Sequence, residues 1–189
     1  MTWEALSIGG AFVIKPRQFS DQRGTFLEWF QESEYVDALG AKFSLAQANC
    51  SVSARGVLRG IHFADVPPGQ AKYVTCVNGS ILDVVVDIRI GSVTYGCWET
   101  IRLDAVDRCA VYVSEGLGHA FMALEDNATV IYLTNQPYSP THEHEINPLD
   151  PSLAIDWPTD IAPILSEKDS TAPTLAAMAE AGKLPYLMR

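Results

Sequence analysis

Short stretches in which apolar and polar side chains alternate fill the middle of the chain. SLAQANCSVS, CWETIRL, CAVYVS, HAFMAL and ATVIYLTN each turn every second side chain toward an interior, the period of a half-buried β-strand. Turns rich in Gly and Asx, such as VNGS and LEDNA, separate some of them. The clearest local signal is KYVTCV, then Asn78-Gly79, then SILDVVVDIR: two β-rich runs around the dipeptide that type I′ hairpins prefer. A two-residue loop there would pair Lys72 with Val85 and Val74 with Asp83, and so set Lys72 and Asp83 on one face of a hairpin. Spacing this regular predicts an all-β fold, an antiparallel barrel or sandwich such as a jelly roll.

The ends of the chain differ from this pattern. SEYVDALG, 33 to 40, predicts a short helix with Ser33 as N-cap and Gly40 as its stop. STAPTLAAMAEAGK, 170 to 183, predicts a C-terminal helix with Leu175 and Met178 on its buried side and Gly182 ending it. These few short helices are peripheral to the β core. No repeat, linker or low-complexity segment interrupts the chain, so one domain over 1–189 is expected.

Charge narrows the range of functions. The 23 acidic and 13 basic side chains give a net charge of −10, which argues against nucleic acid and anionic membranes as partners. A small anionic ligand remains compatible, because two or three converging cations make a local site whatever the total. MTWEALSIGG lacks the basic and apolar regions of a signal peptide. Cys50, Cys76, Cys97 and Cys109 are widely spaced with no CxxC pair, and read as reduced, mostly buried thiols of a cytoplasmic protein.

GVLRGIHF, 56 to 63, places Arg59 and His62 inside a run that otherwise reads as buried strand. Strict alternation would send these two side chains to opposite faces. An irregularity at Gly60 would turn both inward, since glycine tolerates bulge geometry, and a bulge is therefore expected there. With Lys72, three basic groups then approach a strand-rich interior, which costs desolvation unless something negative meets them. Asp83 would compensate in part, and an anionic ligand would do the rest. Gln47, Asn49, Ser51 and Ser53 recur two apart, as do His119 and Phe121, so the interior reads as a pocket for a polar, partly aromatic, negatively charged small molecule. A salt-bridged structural network is the alternative reading of the same residues.

THEHE, 141 to 145, puts His142 and His144 at the spacing of a shared strand face. Metal-binding cupins carry an HxH pair followed by a glutamate and a third histidine on a later strand. Here no histidine follows the pair, and neither His62 nor His119 has a histidine two positions away. A polar loop or strand end is the expectation for these residues, and no metal ligand is assigned.

With these residues in view, the chain resembles the dTDP-4-dehydrorhamnose 3,5-epimerase family, including its relatives in antibiotic deoxysugar pathways. The resemblance runs from about residue 5 to 185, through DQRGTFLEWF, QANCSVSARGVLRGIHF, PPGQAKYVTCVNGSILDVVVDIRIGS, SEGLGHAF, VIYLTNQPYSP and LDPSLAIDWP. It implies a cupin-like jelly-roll barrel, a homodimer to which the N-terminal strands contribute, and a reaction without metal or other cofactor. It also implies roles for particular residues. His62 matches the general base and Asp169 its carboxylate partner. Tyr132 matches the acid acting on the opposite ring face, and Lys72 the cation beside the sugar carbonyl. Arg59 and Arg23 match pyrophosphate contacts. Phe26, Glu28 and Tyr138 match contacts to the nucleotide base, some reaching across from the other subunit in relatives. Gln47, Asn49, His119 and Glu143 complete the expected lining. The segment with His144, Glu145 and Pro148 departs from the family's usual pattern, and IHFADVPPG is similar to the antibiotic-pathway members.

The resemblance therefore implies an isomerase that epimerises a dTDP-4-keto-6-deoxyhexose at C3, C5 or both. A metal-dependent cupin oxygenase or sugar isomerase is a second reading, and a non-catalytic cupin that binds nucleotide sugars a third.

Overall fold

The computed structural model describes residues 1–187, folded into two facing antiparallel β-sheets. The six-stranded sheet contains β1 (Thr2–Ala5), β2 (Ala11–Lys15), β5 (Gln47–Ser53), β7 (Lys72–Asn78), β10 (Ala110–Val113) and β12 (Ala128–Thr134), in the order β1-β2-β10-β7-β12-β5. The five-stranded sheet contains β6 (Leu58–Ala64), β8 (Ser80–Asp87), β9 (Trp98–Asp104), β11 (Leu117–Ala123) and β13 (Glu143–Glu145), in the order β13-β6-β11-β8-β9. A separate hairpin joins β3 (Gln18–Asp21) to β4 (Gly24–Leu27). This is the cupin-like jelly roll expected for the chain, and the five alternating runs read from the sequence are β5, β9, β10, β11 and β12.

The space between the sheets is divided. At one end Ile81, Val85, Leu103, Val111, Leu117, Ala128 and Val130 close it as an apolar plug. Polar side chains line the other end, and Val74, Phe121 and Val130 belong both to the plug and to the cavity above it. Outside the five-stranded sheet, Ile61, Phe63, Val84 and Val86 pack beneath the C-terminal segment through Leu153, Leu175 and Met178. Outside the six-stranded sheet, Tyr73, Tyr112 and Leu133 pack under Tyr35, Phe43 and the N-terminal aromatics. Strand β8 is thus covered on both faces, which accounts for its nearly continuous apolar run.

Four expectations are corrected. Asn78-Gly79 does not close a hairpin. β7 pairs with β10 and β12, whereas β8 pairs with β9 and β11, so the chain changes sheets at this dipeptide. Gly79 has the left-handed φ of 69° that an Asn-Gly turn supplies, and that geometry makes a corner as readily as a hairpin. Lys72 and Asp83 therefore approach the interior from facing sheets. Secondly, α1 spans Glu32–Leu39 with Gln31 at the N-cap, so Ser33 lies inside the helix, while Gly40 ends it at φ 72° as read. Thirdly, 170 to 183 is not one helix. Ser170 closes α2 (Glu167–Ser170), and α3 is confined to Leu175–Glu180, capped by the Thr174 hydroxyl and burying Leu175 and Met178. Fourthly, of the cysteines only Cys76 is buried. Cys50 and Cys97 are exposed and Cys109 is half-buried: Cys50 occupies an outward position of β5, while Cys97 and Cys109 stand just before β9 and β10. All four are free thiols.

Candidate active site

Strand β6 carries the extra residue anticipated at Gly60. His119 pairs with His62 and Phe121 with Arg59, so two steps along β11 face three along β6. Leu58, Ile61 and Phe63 pack outward, while Arg59 and His62 both line the interior cavity. Gly60 has φ 108°, and a Cβ there would stand 2.5 Å from the His119 carbonyl oxygen and 2.8 Å from Ala120 Cα. Only glycine satisfies both restrictions.

The cavity holds about 150 Å³ and is lined by Ser51, Arg59, His62, Lys72, Val74, His119, Phe121, Val130 and Tyr132. It continues outward into a second space of about 180 Å³ that shares His62, Lys72 and Tyr132 and adds Gln47, Asn49, Gln70, Tyr138 and Glu143. His62 comes from the five-stranded sheet, whereas Lys72 and Tyr132 come from the six-stranded sheet facing it. The structure thus gathers His62, Lys72, Tyr132, Arg59, Gln47, Asn49, His119, Tyr138 and Glu143 about one cavity.

His62 Nε2 is 2.7 Å from Asp169 Oδ1. Asp169 is buried at the end of the chain segment that closes over β6. Burial raises its proton affinity, but the hydrogen bond and charge of His62, the Ser166 hydroxyl and the Gly60 N–H outweigh it and hold the carboxyl below its ordinary value. An ionised Asp169 accepts, so His62 carries its proton on Nε2 and presents the Nδ1 lone pair elsewhere. A parallel arrangement lies beside it: His119 Nε2 is 2.8 Å from Asp83 Oδ2, with Asp83 fully buried. Asp83 Oδ1 and Ser51 Oγ are buried without a hydrogen-bond partner among the described residues.

The cation and the phenol are displaced in opposite directions. Burial lowers the Lys72 pKa, against the opposing charges of Glu143 and Asp83. Burial raises that of Tyr132, assisted by Glu143 and opposed by Arg59. The tyrosine is thereby kept as a protonated acid. At the mouth, Arg59 Nε donates to Ser53 Oγ at 3.2 Å, Gln47 Nε2 donates to Asn49 Oδ1 at 2.6 Å, and Gln47 Oε1 accepts from the Tyr138 N–H at 2.9 Å.

Three residues stand elsewhere in this chain. Arg23 and Phe26 belong to the β3–β4 hairpin, whose concave side encloses an open space of about 580 Å³ lined only by residues 19 to 26. Arg23 pairs there with Asp21, and Phe26 is 65% exposed. Glu28 lies in a shallow surface cleft with Arg17 and Glu34. Sequence reasoning overlooked Gln70, which donates at 3.3 Å to Glu143 Oε1, and Ser166, which donates at 2.8 Å to Asp169 Oδ2. The run Ser166-Glu-Lys-Asp169 carries the spacing of a capping box, a signal that would have found Ser166. His142 and His144 are engaged in hydrogen bonds, to Ser139 at 2.8 Å and to Asp65 at 2.7 Å. No group of three or more potential His, Cys, Asp or Glu metal ligands occurs among the described residues.

Comparison with known proteins places this geometry. A dTDP-4-dehydrorhamnose 3,5-epimerase from Mycolicibacterium smegmatis is 55% identical over 185 residues, covering 98% of this chain and 91% of its own. A solved 4-keto-6-deoxy sugar epimerase from the novobiocin biosynthetic cluster of Streptomyces spheroides superposes with a TM-score of 0.97 at 56% identity, covering 99% of this chain and 94% of that one. A 3′-monoepimerase from Streptomyces bikiniensis, solved in complex with dTDP-quinovose, gives a TM-score of 0.95 at 52% identity over 97% and 92% of the two chains. The family profile described as dTDP-4-dehydrorhamnose 3,5-epimerase matches residues 5–177, and the chain belongs to that family.

Proposed function

We propose that this chain is an isomerase that inverts C3, C5 or both of a dTDP-4-keto-6-deoxyhexose, in the supply of deoxysugars to an antibiotic. The observation that carries this reading is the placement of His62, backed by Asp169, on one sheet and Tyr132 on the facing sheet, around a cavity that also holds Lys72.

The chemistry follows from the ketone. A carbonyl at C4 acidifies the C–H bonds at C3 and C5, because the electron pair left behind spreads onto oxygen. His62 takes the proton on Nδ1, and Asp169 steadies the resulting imidazolium. Lys72 faces the developing enolate oxygen as a desolvated cation, where an opposite charge acts most strongly. Tyr132 then gives its phenolic proton to the same carbon from the other face, and the centre is inverted. Exchange with solvent returns His62 to its neutral form and Tyr132 to its protonated form. Arg59 is assigned to the pyrophosphate, whose bidentate geometry suits a guanidinium. His119, held by Asp83, and the Gln47, Asn49 and Glu143 side chains orient the sugar, while Tyr138 lies against the base.

The assembly is read as a homodimer. β5 is an edge strand whose outward Ala48, Cys50 and Val52 are exposed, and an apolar unpaired edge is an invitation to a partner. The β3–β4 hairpin holds Phe19 and Phe26 in solvent. On this reading Arg23, Phe26 and Glu28 complete the cavity of the second copy, and N-terminal strands form the contact. Four free thiols suit a cytoplasmic setting.

The test is incubation with dTDP-4-keto-6-deoxyglucose in deuterated water. Deuterium at C3, at C5 or at both assigns the epimerised carbon. An unlabelled sugar with the nucleotide bound would leave a binding protein in place of an enzyme.

A further inference from the structure

We propose that Ser166 is a positioning residue for the His62 base: its hydroxyl clamps the Asp169 carboxylate so that Nε2 of His62 keeps its proton and Nδ1 stays free to accept one. The inference rests on the epimerase reading for the use of that base, while its geometry stands by itself.

Each oxygen of the carboxylate has its own partner. Oδ1 meets His62 Nε2 at 2.7 Å, and Oδ2 receives the Ser166 hydroxyl proton at 2.8 Å. The same hydroxyl oxygen accepts from the Asp169 backbone N–H at 3.0 Å. With its acceptor side turned to that N–H, the hydroxyl has its proton directed toward Oδ2, and the carboxylate cannot rotate without breaking one of the bonds. The segment just before Ser166 is tied to the strand that bears the base. Ile164 N donates to Gly56 O at 2.8 Å and Leu58 N donates to Ile164 O at 2.9 Å, forming a parallel bridge beside Val57. Ser166, Asp169 and His62 thus share one frame. A helix cap alone has no need of the second bond, to the side chain.

The charged and titratable groups facing the pair come from several elements. Glu145 on β13 stands opposite His62 and pairs with Lys168 on α2. His119 with Asp83 lies on the neighbouring strands, and Arg59, Lys72, Tyr132 and Glu143 line the cavity. The Ser166 hydroxyl bonds none of these among the described residues, so they form a constant background when only Ser166 is changed.

The test compares Ser166→Ala, Ser166→Gly and Ser166→Thr with the unaltered protein. Glycine retains much of the capping preference without the donor, so it separates the helix from the clamp. The His62 ring is followed by NMR of histidine-labelled protein across pH, assigned with His62→Asn and read without substrate. Without that donor the carboxylate is free to turn away from Nε2. The Ala and Gly variants are therefore expected to hold a smaller share of the Nε2–H tautomer in the neutral ring, and Thr is expected to restore it. Solvent deuterium exchange into substrate should fall roughly tenfold to a hundredfold in Ala and Gly. A His62 tautomer unchanged in Ala and Gly, or not restored by Thr, overturns the inference even where activity falls. Failure of the unaltered enzyme to exchange substrate protons would instead strike the epimerase reading, leaving the ring tautomer to decide this one.

Discussion

His62 and Asp169 are 107 positions apart in the chain, yet His62 Nε2 and Asp169 Oδ1 lie 2.7 Å from one another. The C-terminal segment supplies the carboxylate by crossing the outside of the five-stranded sheet, where Leu175 and Met178 anchor it. Asp169→Asn preserves the shape but can no longer balance an imidazolium, and as a donor it turns the ring toward the wrong tautomer. Deuterium exchange into substrate is expected to fall by roughly 10³ or more with nucleotide affinity retained. Exchange within a few-fold of the unaltered enzyme would remove Asp169 from the site.

His62→Ala and Tyr132→Phe should fail differently. Without His62 no proton leaves the sugar, so deuterium enters at neither carbon although the nucleotide still binds. Without the Tyr132 phenol, proton removal and return on the His62 face continue, and the inverted product is what declines. Full inversion by Tyr132→Phe, followed by NMR of the sugar, would transfer the acid role to another group.

The displacements of Lys72 and Tyr132 predict which group sets the alkaline limit. Burial lowers Lys72 from 10.5, so its cation is lost at lower pH than that of a free lysine. Tyr132 is raised above 10.0, so its proton persists to higher pH. The fall of kcat/KM on the alkaline side is therefore assigned to Lys72, in the free enzyme. Lys72→Arg keeps a charge that does not titrate, though in the wrong shape. The rate should drop and the alkaline limb should move upward. A limb unmoved in the arginine variant would contradict the assignment.

Gly60→Ala tests the bulge. The new methyl group would meet the His119 carbonyl oxygen at 2.5 Å, at a φ of 108° that alanine rarely adopts. Relief requires β6 and β11 to separate or β6 to slip, and a slip of one residue would turn His62 out of the cavity. Destabilisation of about 3 kcal/mol or more is expected in chemical denaturation, together with loss of exchange. A variant as stable as the parent would show that the strands have another way to pair.

The parity argument read this bulge from eight letters because arginine and histidine cannot both face inward on an unbroken strand. The Asn78-Gly79 corner defeated the same kind of reasoning. A local left-handed turn is compatible with a hairpin or a change of sheet, and only the competing partners of β7 and β8 decide between them. At Ser33 a good capping side chain does not decide the helix start: the Tyr35 N–H donates to the Gln31 carbonyl at 3.1 Å, so the helix begins before Ser33 although Gln31 supplies no side-chain cap. The cavity itself was largely legible through Gln47, Asn49, Ser51, Arg59, His62, Lys72 and His119, since polar residues repeated at strand spacing must share a face. The pairing of His62 with Asp169 and the part of Tyr132 came through family resemblance, because no local pattern connects positions so far apart.

Arg23 provides the last test, because it pairs with Asp21 on the exposed hairpin and lines no part of the cavity containing His62. If the hairpin serves a second copy, an Arg23→Ala, Phe26→Ala double variant has an intact base but receives a defective grip from its twin. A His62→Ala variant has the opposite defect. Each alone should turn over poorly. After subunit exchange, a mixed dimer contains one cavity with both His62 and a functional hairpin, so mixing the two inactive proteins should restore turnover. Arg23 acting within its own chain would leave the mixture as inactive as its components, and native mass spectrometry of the same samples would show whether mixed dimers had formed.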